Sequence, residues 1–310
     1  MQNNKIIIGT RSSKLAVWQA NFIKSVIEQY FNDISIEIKY IKTKGDKILD
    51  TALDKIEGKG LFTKELENEL IAGSIDIAIH SLKDLQIEIP EGLKLAAVTE
   101  RHRVEDVLIA REKNFTISDL PKYAQVATGS MRRKAQLLFL RPDLQIHDLR
   151  GNVNTRIKKF TDSNWDAIVL AAAGVERLNL DSYISSYIST IDILPAVGQG
   201  AIGMEIHESN TFVGEILKTI EHKPTRKAVT AERSYLAALG GGCKTPIAGY
   251  AQIIDEQIIL DGLVCSPDGK NIIREQAFGT MDSPEELGER LANILLNAGA
   301  DEILNEIVSL

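Results

Sequence analysis

Arginine, serine and threonine recur in this chain at one kind of position, just after a short apolar run that reads as a strand. Thr10-Arg11-Ser12-Ser13-Lys14 follows Ile6 to Gly9, and Ser81-Leu82-Lys83-Asp84 follows the run that opens at Ile75. Thr128-Gly129-Ser130-Met131-Arg132-Arg133 follows Gln125 to Ala127. Arg150-Gly151-Asn152 follows Leu144 to Leu149, with Arg156 one to two turns into the next helical stretch. In open α/β sheets, ligands bind beyond the carboxyl ends of strands, where loops meet helix N-termini. Guanidinium groups there are suited to planar, two-point capture of carboxylates. Any single loop of this kind reads equally well as capping hydroxyls beside solvated charge. Repeated at successive strand ends, the pattern points to a ligand with several carboxylates or phosphates.

Cys243 is the second chemical candidate. It follows Gly240-Gly241-Gly242 and precedes Lys244-Thr245-Pro246, and a loop thiol near cations is a possible nucleophile. A purely structural thiol fits the same local sequence. Cys265, behind Gly262-Leu263-Val264, reads as a buried cysteine. Gly198-Gln199-Gly200-Ala201-Ile202-Gly203 matches a dinucleotide glycine pattern, but Ala201 to Ile206 reads as strand where that motif needs a helix. Gly58-Lys59-Gly60 lacks the spacing of a phosphate-binding loop. No histidine pair has metal-ligand spacing, so no metal is expected, and His80 at a strand end reads as a core residue.

The elements that must position these residues alternate. Strand, polar loop and helix follow one another in Ile6–Gly9, Thr10–Lys14 and Leu15–Tyr30. Strands are expected at 34–41, 75–80, 106–110, 125–127, 144–149 and 167–172. Helices are expected at 62–72, 131–140 and 153–160. Such alternation predicts parallel sheets with crossover helices. The last part differs: a helix over 227–239 stops at the glycine run. Strands at 248–253, 257–265 and 271–278 follow at hairpin spacing, turned by Asp255-Glu256 and Asp268-Gly269. A helix over 284–298 closes an α+β module with a small antiparallel sheet.

With 310 residues, 44% hydrophobic and 25% charged, the chain reads as a globular protein of two or three domains. A net charge of -7 gives no general attraction to nucleic acid or anionic membrane, so any anion site is a local concentration of Arg and Lys. The apolar segment at Ile6 is too short for a signal peptide and no run is long enough to span a bilayer. Two cysteines are too few for a disulfide framework. A cytoplasmic protein with reduced thiols is expected.

The same residues, taken together, resemble one family. Arg11-Ser12-Ser13, Lys44-Gly45-Asp46, Gly58-Lys59-Gly60-Leu61-Phe62 and His80-Ser81-Leu82-Lys83-Asp84 are similar to motifs of the porphobilinogen deaminases, as are Ser130-Met131-Arg132-Arg133 and Leu149-Arg150-Gly151-Asn152. Pro195-Ala196-Val197-Gly198-Gln199-Gly200, Ala231-Glu232-Arg233 and Gly241-Gly242-Cys243 complete an ordered series across nearly the whole chain. The resemblance implies two α/β domains hinged like periplasmic binding proteins, with the active site in the cleft, and a C-terminal α+β domain. The implied boundaries are 1–99 plus about 198–219, then 100–197, then 220–310. It also implies a covalent dipyrromethane cofactor, tethered to Cys243 as a thioether and assembled by the protein itself. On that primer four porphobilinogen units condense head to tail with loss of ammonia, and hydrolysis releases hydroxymethylbilane for tetrapyrrole synthesis. Asp84 is the implied catalytic residue. Lys83, Ser81, Thr128, Ser130, Arg132, Arg133 and Arg150 are implied to hold the cofactor. Arg11, Ser13, Arg150, Arg156, Arg177, Gln199, Lys55 and Lys59 are implied to hold substrate. A monomer is expected, with neither nucleic acid nor membrane as partner.

Some positions depart from the family pattern. Lys14 stands where proline is common, Leu85-Gln86 where Val-Pro is usual, and Gly240 where a Glu often precedes the glycine pair. Arg101 to Glu105 replaces an acidic, proline-containing hinge. None of these removes a catalytic side chain. A small-anion binding protein is the rival from another class; it requires neither Asp84 nor a reactive cysteine. A nicotinamide oxidoreductase is a more distant one.

Overall fold

Alternate residues of the first strand explain how the chain begins. In the computed structural model, which describes residues 5–47, 60–241 and 245–308, β1 (Lys5–Arg11) buries Ile6 and Ile8 completely. A strand's two-residue period puts both on one face. Ser13 then caps α1 (Lys14–Tyr30), its Oγ accepting from Ala16 N at 3.3 Å. Ala16, Ala20, Ile23 and Ile27, three or four residues apart, form the helix's buried stripe. β2 (Ser35–Ile41) runs parallel to β1. The short α2 (Lys44–Lys47) and then α3 (Lys64–Ile71) lead to β3 (Ile77–Ser81), parallel to β1 on its other side. β4 (Leu93–Val98) ends this stretch.

A comparable succession follows: β5 (Asp106–Ala110), β6 (Gln125–Ala127), α4 (Met131–Leu140), β7 (Gln145–His147), α5 (Val153–Thr161), β8 (Ala167–Ala171), α6 (Ala172–Glu176) and β9 (Ser186–Ile188). β10 (Ile202–His207), α7 (Thr211–Ile220) and α8 (Lys223–Ala238) come next. The antiparallel hairpins of β11 (Ile247–Ile254), β12 (Gln257–Cys265) and β13 (Ile272–Thr280) precede α9 (Pro284–Leu295) and α10 (Asp301–Val308). The described residues form two compact units, one of 5–47, 60–102 and 200–226, the other of 103–199 and 227–308.

The first unit holds the sheet β2-β1-β3-β10-β4, and the second holds β7-β6-β8-β5-β9. The plan is the same in both: three parallel strands, then a strand antiparallel to the third, then one antiparallel to that. The sheets are therefore mixed, where alternation alone predicted parallel ones. A parallel neighbour needs a crossover that returns the chain to the same end. β5 and β10 are instead entered directly as the chain passes from one unit to the other, so no crossover helix sets their direction. The glycine pattern at 198–203 runs into β10 and opens no helix, which removes the dinucleotide reading.

The fold class expected from the sequence is found: α/β sheets, plus a C-terminal α+β module with a three-stranded antiparallel sheet. Asp255 and Glu256, with φ of 49° and 63°, make the first hairpin turn. Tyr235 of α8 and Leu291 of α9 are fully buried over this sheet, with Leu260 and Val264. The closing helix expected over 284–298 is found as α9 continued by a π turn over 296–300; Gly299, at φ 99°, ends it, and α10, which the spacing does not predict, starts beyond. Within the second unit the module is fastened to the 103–199 part. Gly249 N donates to Pro195 O at 3.1 Å, and Arg274, held by Asp261 at 2.7 Å, donates to Thr190 O at 3.1 Å.

Cys265, at the end of β12, is buried among Ala135, Leu194, Ala248 and Leu263. Burial, helped by the nearby Asp268 charge, pushes its thiol up to about 12, so the reactive thiolate is scarce at neutral pH. In the native protein at pH 8, Cys265 is expected to resist iodoacetamide and to react once the chain is unfolded. Peptide mass mapping distinguishes the two states, and native labelling at the rate of a free thiol would contradict this burial.

Candidate active site

In the first unit, the segment after β3 is pinned by its leucines. Leu82 and Leu85 are 1% and 3% exposed, Leu82 N donates to Ala201 O at 3.0 Å, and Leu85 N closes a 3₁₀ turn onto Leu82 O at 3.1 Å. The two leucines flank Lys83 and Asp84, which are left half-buried between them. Ser81 Oγ accepts from the buried Gln19 amide at 2.9 Å. Among the described residues, no side-chain hydrogen bond or ion pair engages the Asp84 carboxylate. Its oxygens therefore keep their acceptor capacity for a ligand. His80, one step back, lies in the core with Nε2 3.1 Å from Glu205 Oε2, the satisfied core role expected for it.

Arg11 is the last residue of β1 rather than part of a free loop. Its Nε donates to Asp46 Oδ1 at 3.2 Å and its Nη2 to the same oxygen at 2.5 Å. Thr43 Oγ1 donates to the other Asp46 oxygen at 2.9 Å. Burial alone would raise the Asp46 carboxyl; the bonds and charge of Arg11, with those from Thr43, outweigh it and hold it below the usual range. The Arg11 guanidinium also lies 4.2 Å from the centre of the Phe62 ring. A Cβ on Gly45 would stand 2.1 Å from that ring, so only glycine admits Phe62. Lys44-Gly45-Asp46 and Leu61-Phe62 thus converge on Arg11. Ser13 serves as the α1 cap.

In the second unit Ser130 caps α4, its Oγ accepting from Arg133 N at 3.4 Å, and Thr128 Oγ1 accepts from Ser130 N at 3.4 Å. A Cβ on Gly129 would lie 2.3 Å from Leu149 O, so glycine lets the Thr128 loop lie against the Arg150 loop. Arg150 is 8% exposed. Asn152 caps α5, and Arg156 Nε donates to Gly151 O at 2.7 Å. Arg177, at the end of α6, is brought down to about 10 by burial, against the support of Glu176, and remains protonated at neutral pH.

Arg132, Arg133 and Gln199 meet at a residue that sequence reasoning missed. Asp106, fully buried at the head of β5, accepts from Arg132 Nη2 and Arg133 Nη2 at 2.7 Å each and from Gln199 Nε2 at 2.8 Å. The one available signal was an acidic residue opening an otherwise apolar strand, Asp106-Val107-Leu108-Ile109-Ala110. Burial would raise the Asp106 carboxyl, yet the two guanidiniums hold it far below the usual range. Burial and the Arg133 charge lower Arg132, against the pull of Asp106. Two cations against one anion leave this buried cluster with an excess positive charge. The Nε atoms of Arg132 and Arg133 are buried and have no partner among the described residues. Cys243, Lys55 and Lys59 lie outside the described residues.

Two family models match the chain: "Porphobilinogen deaminase, dipyromethane cofactor binding domain" over residues 6–215, and "Porphobilinogen deaminase, C-terminal domain" over 226–297. The chain belongs to the porphobilinogen deaminase family. Relatives named porphobilinogen deaminase include one from Carboxydothermus hydrogenoformans, 46% identical over 303 residues, covering 98% of this chain and 97% of the relative. Another, from Moorella thermoacetica, is 48% identical over 303 residues, covering 98% and 96%. Among solved structures, the methionine binding protein MetQ is similar at 12% identity and a TM-score of 0.44, over 71% of this chain and 89% of that one. Membership in the porphobilinogen deaminase family makes this chain a transferase with a dipyrromethane cofactor. The residues fit such a group: its acetate and propionate carboxylates suit an excess buried positive charge with two open Nε donors.

Removing Asp106 strands two buried guanidiniums, which typically costs about 3–5 kcal/mol. Because its folded carboxyl is depressed, Asp106 stabilises the fold fully above the ordinary carboxylate range, and this contribution drains away as pH falls below it. Asp106→Asn is therefore expected to be well below wild type in urea melts at pH 7, with the gap narrowing in strong acid. A gap independent of pH would contradict the ion cluster.

Proposed function

We propose that the chain condenses four porphobilinogen molecules head to tail, with loss of ammonia, on a dipyrromethane primer joined to Cys243, and releases hydroxymethylbilane by hydrolysis. The observation that carries the roles given to its residues is the half-buried Asp84 carboxylate, held between two leucine anchors and engaged by no side chain among the described residues. Loss of the substrate amine and attack on the resulting azafulvene by the terminal pyrrole carbon of the growing chain both place positive charge on a pyrrole nitrogen. A fixed carboxylate accepts the pyrrole N–H and stabilises that charge where it develops, and Asp84 is also placed to move the proton.

When bound, the dipyrromethane supplies the first nucleophilic pyrrole carbon. Lys83, Ser81, Thr128, Ser130, Arg132, Arg133 and Arg150 hold it, with the last three opposing its carboxylates. Arg11, Ser13, Arg150, Arg156, Arg177, Gln199, Lys55 and Lys59 take the incoming and growing rings, each of which adds two carboxylates. Arg11 is suited to this by its clamp: Asp46 and Phe62 fix the direction of the guanidinium, so little rotamer freedom remains to be lost on binding. Gln199 is in addition bonded to Asp106. The division into 1–99 plus about 198–219, 100–197 and 220–310 belongs to the same reading. So does a cytoplasmic monomer that takes neither nucleic acid nor membrane as partner. A net charge of -7 supports the latter, and among the described residues no helix is long and apolar enough to cross a membrane.

Asp84→Ala is expected to reduce turnover by about 10²–10³-fold, the usual size of a lost charge-stabilising group, with little change in melting temperature. Retention of more than about a tenth of the wild-type rate in porphobilinogen consumption would remove Asp84 from that role. Intact-mass analysis, followed by peptide mapping, is expected to find two linked pyrrole units on the Cys243 peptide, either as purified or after incubation with porphobilinogen. A chain that binds porphobilinogen yet stays unmodified and leaves it unconsumed would favour an anion-binding protein.

A further inference from the structure

Glu232 lies inside α8 with no solvent exposure, a setting in which a carboxylate needs hydrogen-bond donors around it. Its Oε2 accepts from Gly198 N at 2.7 Å and its Oε1 from Ala251 N at 2.8 Å. These donors come from distant parts of the chain. Ala251 is in β11, while Gly198 immediately precedes Gln199. The buried Gln199 amide donates to Val104 O at 2.7 Å and to Asp106 Oδ1 at 2.8 Å. Asp106 in turn holds Arg132 and Arg133. Two buried carboxylates, Glu232 and Asp106, thus grip the Gly198-Gln199 dipeptide from either end.

Two members of this brace lie on either side of Cys243 in the chain. α8 ends at Ala238 and β11 begins at Ile247, so the Glu232–Ala251 bond joins the two elements that flank the segment containing Cys243. Apolar packing holds the same elements together: Tyr235 of α8 is buried against the sheet, and its hydroxyl donates to Leu263 O at 3.3 Å. Packing tolerates small slides, whereas a carboxylate bonded at both oxygens to two backbone N–H groups sets direction and register. Register matters if one group must meet a thiol at one end and guanidiniums at the other, because misplacement by about an ångström costs such a reaction roughly 10²-fold.

We propose that Glu232 is a positioning residue for cofactor attachment: its buried carboxylate fixes the helix and strand flanking the Cys243 segment to the Gly198-Gln199 dipeptide, and through Asp106 to Arg132 and Arg133. The proposal rests on the reading of Cys243 as the attachment residue. Glu232→Gln keeps the shape but turns an amide NH₂ toward one of the two backbone donors, so one bond is lost. Asp166→Asn is the control, since Asp166 also accepts a strand N–H, from Gln125 at 2.7 Å, outside the brace.

The test follows the full-length chain, freed of cofactor, as it gains the mass of two pyrrole units during incubation with saturating porphobilinogen. Each variant's melting temperature is recorded alongside. Glu232→Gln is expected to load about tenfold more slowly than wild type, the effect of one lost hydrogen bond to a charged group, while Asp166→Asn loads at the wild-type rate. Should Glu232→Gln fail to fold, Glu232→Asp, which withdraws the charge by one methylene, is read in the same assay and is likewise expected to be slow. Wild-type loading rates in a folded Glu232 variant, or equal slowing by Asp166→Asn, would overturn the proposal alone. A wild-type chain that never gains the mass would overturn the reading beneath it.

Discussion

A carboxylate with no solvent contact sits between two guanidiniums at the head of β5, and the second unit is arranged around keeping it there. Asp106 cannot be buried alone, because an uncompensated charge in the interior costs several kcal/mol. Arg132 and Arg133 cannot be buried alone for the same reason. Their mutual need fixes α4 against β5, and the Gln199 amide adds the returning segment to the same point. The compensation is incomplete: two positive charges face one negative, and two Nε donors stay open among the described residues. In the proposed reading, that imbalance is what suits the cluster to the carboxylates of cofactor and substrate.

The first unit uses the same chemistry at lower burial. Arg11 ends its strand with a carboxylate on one side and an aromatic ring on another, so its direction is set before any ligand arrives. Asp46, Asp106 and Glu232 are all occupied by donors within the protein. Asp84 differs from them in having no side-chain partner among the described residues, although it is half-buried on a pinned turn. Occupied carboxylates act here as scaffold. The unoccupied one has no such commitment among the described residues, which is the physical ground on which we propose the catalytic role for it.

Much of this was readable in advance where the signal is local. Ser13, Ser130 and Asn152 were recognisable at strand-end loops, and each caps the helix that follows it. The hairpins of β11 to β13 follow from turn residues and spacing, the structural nature of Cys265 from its apolar run, and that of His80 from its place at a strand end. Less was readable where partners are far apart. The sequence carries no clear local mark of β4 and β9, nor of the antiparallel direction of β5 and β10, because strand direction depends on where the chain arrives from. The loops also carry no mark that Arg132 and Arg133 are each only 4% exposed and bonded to Asp106.

By itself, then, the sequence determined the family, through an ordered set of motifs, and the local elements that carry them, because capping, periodicity and turn chemistry act over a few residues. Tertiary structure alone decided which charges are committed and which are open. Arg132 and Asp106 are separated by 26 residues, and Gly198 and Glu232 by 34. No pattern along the chain announces that such residues will meet in the same dry interior. Burial turns an ordinary arginine or glutamate into a fixed strut, and burial is a property of the packed sheets and helices rather than of any segment within them.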